Sequence, residues 1–183
     1  MKFIIILLSL VINAASFSYA KEFELHNSIS KDGKIWGLYS NSTYKRGFFF
    51  KILEASLYID IEHKAAYQFP SAVPIVLKLQ YYRDIRAEKL VRAGQDILQD
   101  LYSPKLLDLY FKELALVENA MQSVKKGDFY ELYYYPSQGI EIWWKDNLAV
   151  KVEGDDFAKL YLSIWLGDHE KTRSLKNDLL KIN

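Results

Sequence analysis

Three early stretches of the chain, 34–40, 47–61 and 74–82, are rich in Ile, Val, Phe, Tyr and Leu. Such runs predict half-buried strands. The second is long, and a bend or break is expected near Glu54-Ala55. Glu62-His63-Lys64 and Phe69-Pro70-Ser71 punctuate the approach to the third. The period then changes. Leu90, Val91, Gly94, Ile97, Leu98 and Leu101 fall on one helical face, with Asp84 as the expected cap. A second helix is predicted from Ser103-Pro104, an N-cap followed by proline where its missing N–H costs nothing. Its stripe is Leu106, Tyr110, Leu114, Val117 and Met121, and its expected end is Lys125-Lys126-Gly127.

Strand patterning returns at 129–135, 139–145 and 148–153. It reads as an antiparallel meander with turns at 136–139 and 146–147. A helix from about Asp156 carries Phe157, Leu160, Tyr161 and Ile164 and stops at Gly167. Thr172 is expected to cap a last short helix bearing Leu175, Leu179 and Ile182. The class is α+β: a largely antiparallel sheet with helices inserted in the middle and at the end.

The first 20 residues stand apart. Lys2, the apolar run 3–11 and the small-residue end Ser18-Tyr19-Ala20 have the order of a secretory signal peptide. The apolar core falls short of the roughly 20 residues that span a bilayer. Cleavage after Ala20 is expected, leaving one domain over 21–183, periplasmic or secreted, with no stable membrane insertion. Losing Lys2 takes the formal charge from +1 to zero, which gives no electrostatic basis for nucleic-acid binding. The chain has no cysteine, so disulfides and thiolate chemistry are excluded. The fold must rest on core packing.

Motifs for common chemistries are missing from the sequence. His26, His63 and His169 stand far apart, in no metal-ligand spacing. No nucleophile elbow, phosphate loop or dinucleotide fingerprint occurs, and no cofactor is implied. Asp155-Asp156 reads as the first turn of a helix rather than a catalytic pair. Tyr133-Tyr134-Tyr135 and Trp143-Trp144 suggest an aromatic-binding surface, but neighbouring strand residues face opposite sides, so the cluster should split between core and solvent.

Several local motifs resemble the chalcone isomerase-like proteins, specifically a bacterial secreted branch. They are Gly47-Phe48-Phe49-Phe50-Lys51 running into Ala55-Ser56-Leu57-Tyr58-Ile59, then Leu77-Lys78-Leu79 and Arg83-Asp84-Ile85-Arg86-Ala87-Glu88-Lys89-Leu90. Lys126-Gly127-Asp128, Trp165-Leu166-Gly167, Leu175-Lys176 and Leu179-Leu180 complete the set. The resemblance implies an open-faced β-sandwich, an antiparallel sheet with helices over one face and a ligand cleft between them. Plant members add a phenolate to an α,β-unsaturated ketone there, without a cofactor. A cation favours the phenolate and hydrogen-bond donors steady the enolate.

Carried over position by position, that catalytic set is mostly lost. The family's strand arginine falls at Lys45, with Arg46 beside it, and its threonine falls at Leu53. Its helical tyrosine, lysine and asparagine fall at Arg86, Lys89 and Ala93, so only the lysine survives. The resemblance therefore implies a non-catalytic protein that binds a small apolar or acidic, fatty-acid-like ligand, with Lys45, Arg46, Arg86 and Lys89 as candidate ligand-binding residues. Lys45 is expected to face the helices and Arg46 to face solvent. Two alternatives stand beside this: an isomerase or intramolecular lyase acting on an unsaturated carbonyl compound, with Tyr58 as a proton donor, and a protein-interaction module docking around Trp143-Trp144.

Overall fold

A computed structural model describes residues 25–31, 33–47, 49–60, 62, 69 and 73–182. The expected signal segment, His63 and Pro70-Ser71 lie outside these residues. Strands β1 (Ser28–Lys31), β2 (Lys34–Arg46), β3 (Phe50–Asp60), β4 (Ile75–Tyr81), β5 (Phe129–Tyr135), β6 (Gly139–Trp144) and β7 (Asn147–Glu153) form one sheet in sequence order. Every neighbouring pair is antiparallel. Helices α1 (Ala87–Leu101), α2 (Pro104–Leu109) and α3 (Phe111–Ala120) are inserted between β4 and β5. Helices α4 (Asp155–Leu166) and α5 (Arg173–Leu180) follow β7. The architecture is α+β, as the patterning predicts.

Strand alternation sorts the two faces. Leu57, Leu77, Leu132, Ile142 and Val150 are successive cross-strand partners, and this apolar row lies in the core beneath the helices. Burying each such side chain contributes roughly 1.5–3 kcal/mol. The most deeply packed helix is α4, with Phe157, Leu160, Leu162 and Ile164 all buried. Clips fix α5 to β2: Ser42 Oγ donates to Asp178 Oδ2 at 2.6 Å. The opposite face carries a smaller cluster of Trp36, Tyr58, Val76 and Tyr133.

Several boundaries differ from the sequence expectations, each for a local reason. Strand β1 was not expected, because its four residues hold one apolar side chain, Ile29. The long second strand does not break at Glu54-Ala55. Its irregularity is a bulge at Ile52, where pairing passes from Tyr44↔Leu53 to Lys45↔Lys51. Asp84 does not cap α1. Its carboxylate accepts from the Lys126 N–H at 2.8 Å, and Arg86 holds the N-cap position without a side-chain bond.

The helix expected from Ser103 to Lys125 starts as predicted, with Ser103 Oγ accepting from the Leu106 N–H. It breaks at Tyr110 and ends at Ala120. Beyond it, the Tyr130 hydroxyl accepts from the Gln122 N–H at 2.6 Å and donates to the Gln122 carbonyl at 2.9 Å. Val124 then bridges Ile85 in extended form. Tyr130→Phe removes both bonds and should cost about 1–3 kcal/mol. Chemical denaturation checks this, and an unchanged midpoint would show that the hydroxyl does not hold this segment.

Candidate functional site

An apolar cavity of about 170 Å³ lies between the helix layer and one end of β2, β3 and β4. Tyr44, Ile52, Leu53 and Tyr81 line it from the sheet. Leu90, Gly94 and Ile97 come from α1, Ile164 and Trp165 from α4, and Leu175 from α5. The bulge accounts for the sheet wall: two residues of β3 oppose Tyr44, so Ile52 and Leu53 both reach the cavity. A Cβ at Gly94 would stand 3.4 Å from Ile164 Cδ1, so α1 packs against α4 at this point with room for a methyl group.

The polar groups in this lining are few. Lys89, on the exposed side of α1, is the only charged residue among the described residues of the wall. Tyr81 and Tyr161 are buried phenols. Burial, and after it the neighbouring Tyr130, push both far above the ordinary tyrosine range, so they stay neutral and can donate hydrogen bonds. Thr172 also lines the cavity, and its Oγ1 is buried with no hydrogen-bond partner among the described residues. The expected capping role fails: Thr172 occupies the N-cap position of α5 but makes no side-chain cap bond. The loop before it is held by buried His169, whose Nε2 lies 3.0 Å from Asp100 Oδ2.

Of the four cations singled out in the sequence, only Lys89 lines the cavity. The expectation for Lys45 is overturned. Tyr44 reaches the cavity, so alternation turns Lys45 to the outer face, opposite Lys51, and returns Arg46 to the helix side, opposite Phe50. Arg46 and Arg86 are exposed and stand outside the lining. Tyr58 is also on the outer face, where its hydroxyl donates to the His26 carbonyl at 3.1 Å, away from the cavity. Thr172 was missed as a site residue because a threonine ahead of a helix reads as a cap.

A second depression, of about 250 Å³, lies on the outer face. Two of its charged side chains, Glu54 and Lys78, are paired internally. Glu54 accepts from Asn41 Nδ2 at 2.9 Å, Thr43 Oγ1 at 2.7 Å and Tyr82 Oη at 3.1 Å. Lys78 Nζ meets Glu131 at 2.9 Å. The aromatic cluster splits as expected: Tyr134 and Trp144 pack with the main core, while Tyr133 and Trp143 face outward. Lys31 Nζ sits 3.2 Å from the Trp143 ring centroid, and Lys145 Nζ sits 4.4 Å from that of Trp144. These tryptophans offer no bare aromatic patch. Among the described residues, no group of three or more His, Asp or Glu is placed to hold a metal.

The sequence pattern of the chalcone isomerase-like family matches residues 20–181. The chain belongs to the chalcone isomerase-like family. No curated protein matches it. Among solved structures, the chain is similar to the crystal structure of a fatty-acid binding protein of Arabidopsis thaliana. The TM-score is 0.63 at 12% identity, over 86% of this chain and 91% of that one. At that identity the likeness speaks for the fold. Within this chalcone isomerase-like fold, Leu53, Lys89 and Ala93 all line the one cavity. These are three of the positions at which the plant catalytic groups were expected. Two of the three have no side-chain donor.

Proposed function

We propose that this chalcone isomerase-like protein binds a small amphiphile with an acidic head, such as a fatty acid, and does not run the plant family's reaction. The observation that carries the reading is the character of the wall. It is apolar, Lys89 stands at its exposed rim, and Thr172 Oγ1 is buried without a partner among the described residues. A buried, unbonded hydroxyl costs roughly 1–3 kcal/mol, which a ligand's polar group would recover. The similarity to a fatty-acid binding protein supports the same reading. An enone isomerase would need donors where Leu53 and Ala93 stand. We place the protein in a bacterial secreted branch, periplasmic or secreted. The order of residues 1–20 supports this, as does a family match that begins at residue 20, where cleavage is expected.

Size sets the ligand class. The cavity of about 170 Å³ is below the roughly 300–1,000 Å³ of pockets that enclose drug-sized ligands, so a short chain fits inside and a long one leaves part of itself outside. In titration calorimetry with saturated fatty acids of increasing length, affinity should rise about fourfold per added CH₂, the equivalent of ~0.8 kcal/mol. It should then level off once the cavity is filled. No binding at any length, together with turnover of a simple enone above the buffer rate, would replace the binding reading with the isomerase reading.

A further inference from the structure

The tip of the β2–β3 hairpin carries features that ligand binding does not use. Phe49 is 87% exposed and Phe50 63% exposed, beside a turn in which Gly47 adopts φ +65°. Lys45, Arg46 and Lys51 flank these rings, and no acidic residue occurs from Thr43 to Ile52. Strand pairing sets Lys45 beside Lys51 on one face and Arg46 beside Phe50 on the other, so both faces of the tip carry positive charge. The Arg83 guanidinium lies 5.9 Å from the Phe50 ring centroid and adds another cation. Aromatic rings framed by Lys and Arg suit the headgroup boundary of an anionic bilayer, where the rings enter the interface and the cations meet lipid phosphates.

The same strands lead to the cavity. Tyr44 and Ile52 line it and lie two residues from Arg46 and Phe50, on the order of 7 Å along a strand. Another exposed apolar group, Leu109, Phe111 and Leu116 on α2 and α3, is interspersed with Asp108, Glu113 and Glu118. It lacks the single sign of charge found at the hairpin.

We propose that the β2–β3 hairpin tip is a docking surface for an anionic lipid bilayer, which brings the cavity close to the membrane so that an amphiphile passes between them. The transfer rests on the ligand reading above; the docking does not. Docking is peripheral, and no helix among the described residues is long and apolar enough to cross a membrane.

Co-sedimentation of the purified protein with phosphatidylcholine vesicles, with and without phosphatidylglycerol, tests the docking. The protein should sediment with the anionic vesicles only, and less so as salt is raised. Both Phe49→Asp/Phe50→Asp and Lys45→Glu/Arg46→Glu should weaken partitioning about tenfold or more. The phenylalanine variant should keep the wild-type affinity for decanoate in vesicle-free buffer. Phe49→Ser/Phe50→Ser serves as a second variant should the aspartates disturb folding. Failure of the wild type to sediment, or equal sedimentation of all variants, would overturn the docking surface. So would a hairpin-dependent dimer that ignores vesicles. Vesicle capture without decanoate binding would support docking and defeat only the cavity reading.

Discussion

Lys89→Glu should weaken binding of decanoate about 30-fold while leaving binding of decanol unchanged. Lys89 is exposed at the cavity rim and is the only charged residue among the described residues of its wall. Reversing it removes an attraction of about 1 kcal/mol and adds a repulsion of similar size, which together correspond to roughly that factor. The neutral alcohol shares the chain but not the charge, so it reports the apolar wall alone. The difference between the two ligands should shrink as salt screens the rim. Thr172→Val keeps the shape and removes the buried hydroxyl, so it should weaken decanoate by a smaller factor, about fivefold, without destabilising the unliganded protein. Calorimetry on both ligands checks the pair. An equal loss for decanol would mean that Lys89 shapes the wall rather than recognising a charge.

Gly139→Ala should destabilise the fold by ~3–5 kcal/mol, a large fraction of the 5–15 kcal/mol that holds a typical domain. Gly139 opens β6 at φ +130°, and a Cβ there would come within 2.1 Å of the Val152 carbonyl oxygen. Its strand partners are Tyr135 and Glu153, so the obstructing atom is backbone held by the ladder and cannot swing away. Either β6 and β7 separate at this end or the backbone takes a conformation that a side chain disfavours. Urea denaturation measures the loss, and a change below about 1 kcal/mol would show that this corner of the sheet yields more easily than its pairing implies.

Sequence patterning captured the elements because burial repeats at periods of two and 3.6. β5 was predicted at its observed bounds, and α4 and α5 came within a residue or two of theirs. Features that depend on a single irregular residue were not visible. The shift of pairing at Tyr39, from Leu38↔Tyr58 to Ser40↔Leu57, leaves no mark in the apolar pattern, yet it sets the alternation that turns Tyr44 rather than Lys45 to the cavity. The Tyr130 hydroxyl that takes up Gln122 ends the helical region early, and its effect crosses eight positions of chain. Lys89 was legible through the family resemblance, as the one residue of the helical catalytic set that this sequence keeps. Thr172 was not, since its cavity neighbours, Tyr44 and Tyr81 among them, are distant in sequence.

Everything proposed for the site turns on ligand entering the cavity between sheet and helices. Isotope-edited nuclear Overhauser spectroscopy on the labelled protein with decanoate tests it most directly. Contacts are expected from the decanoate chain to the methyl groups of Leu90, Ile164 and Leu175, which line the cavity from three helices. Contacts confined to the outer face, at Tyr58, Val76 and Tyr133, or saturable binding with no contact to those methyls, would contradict it.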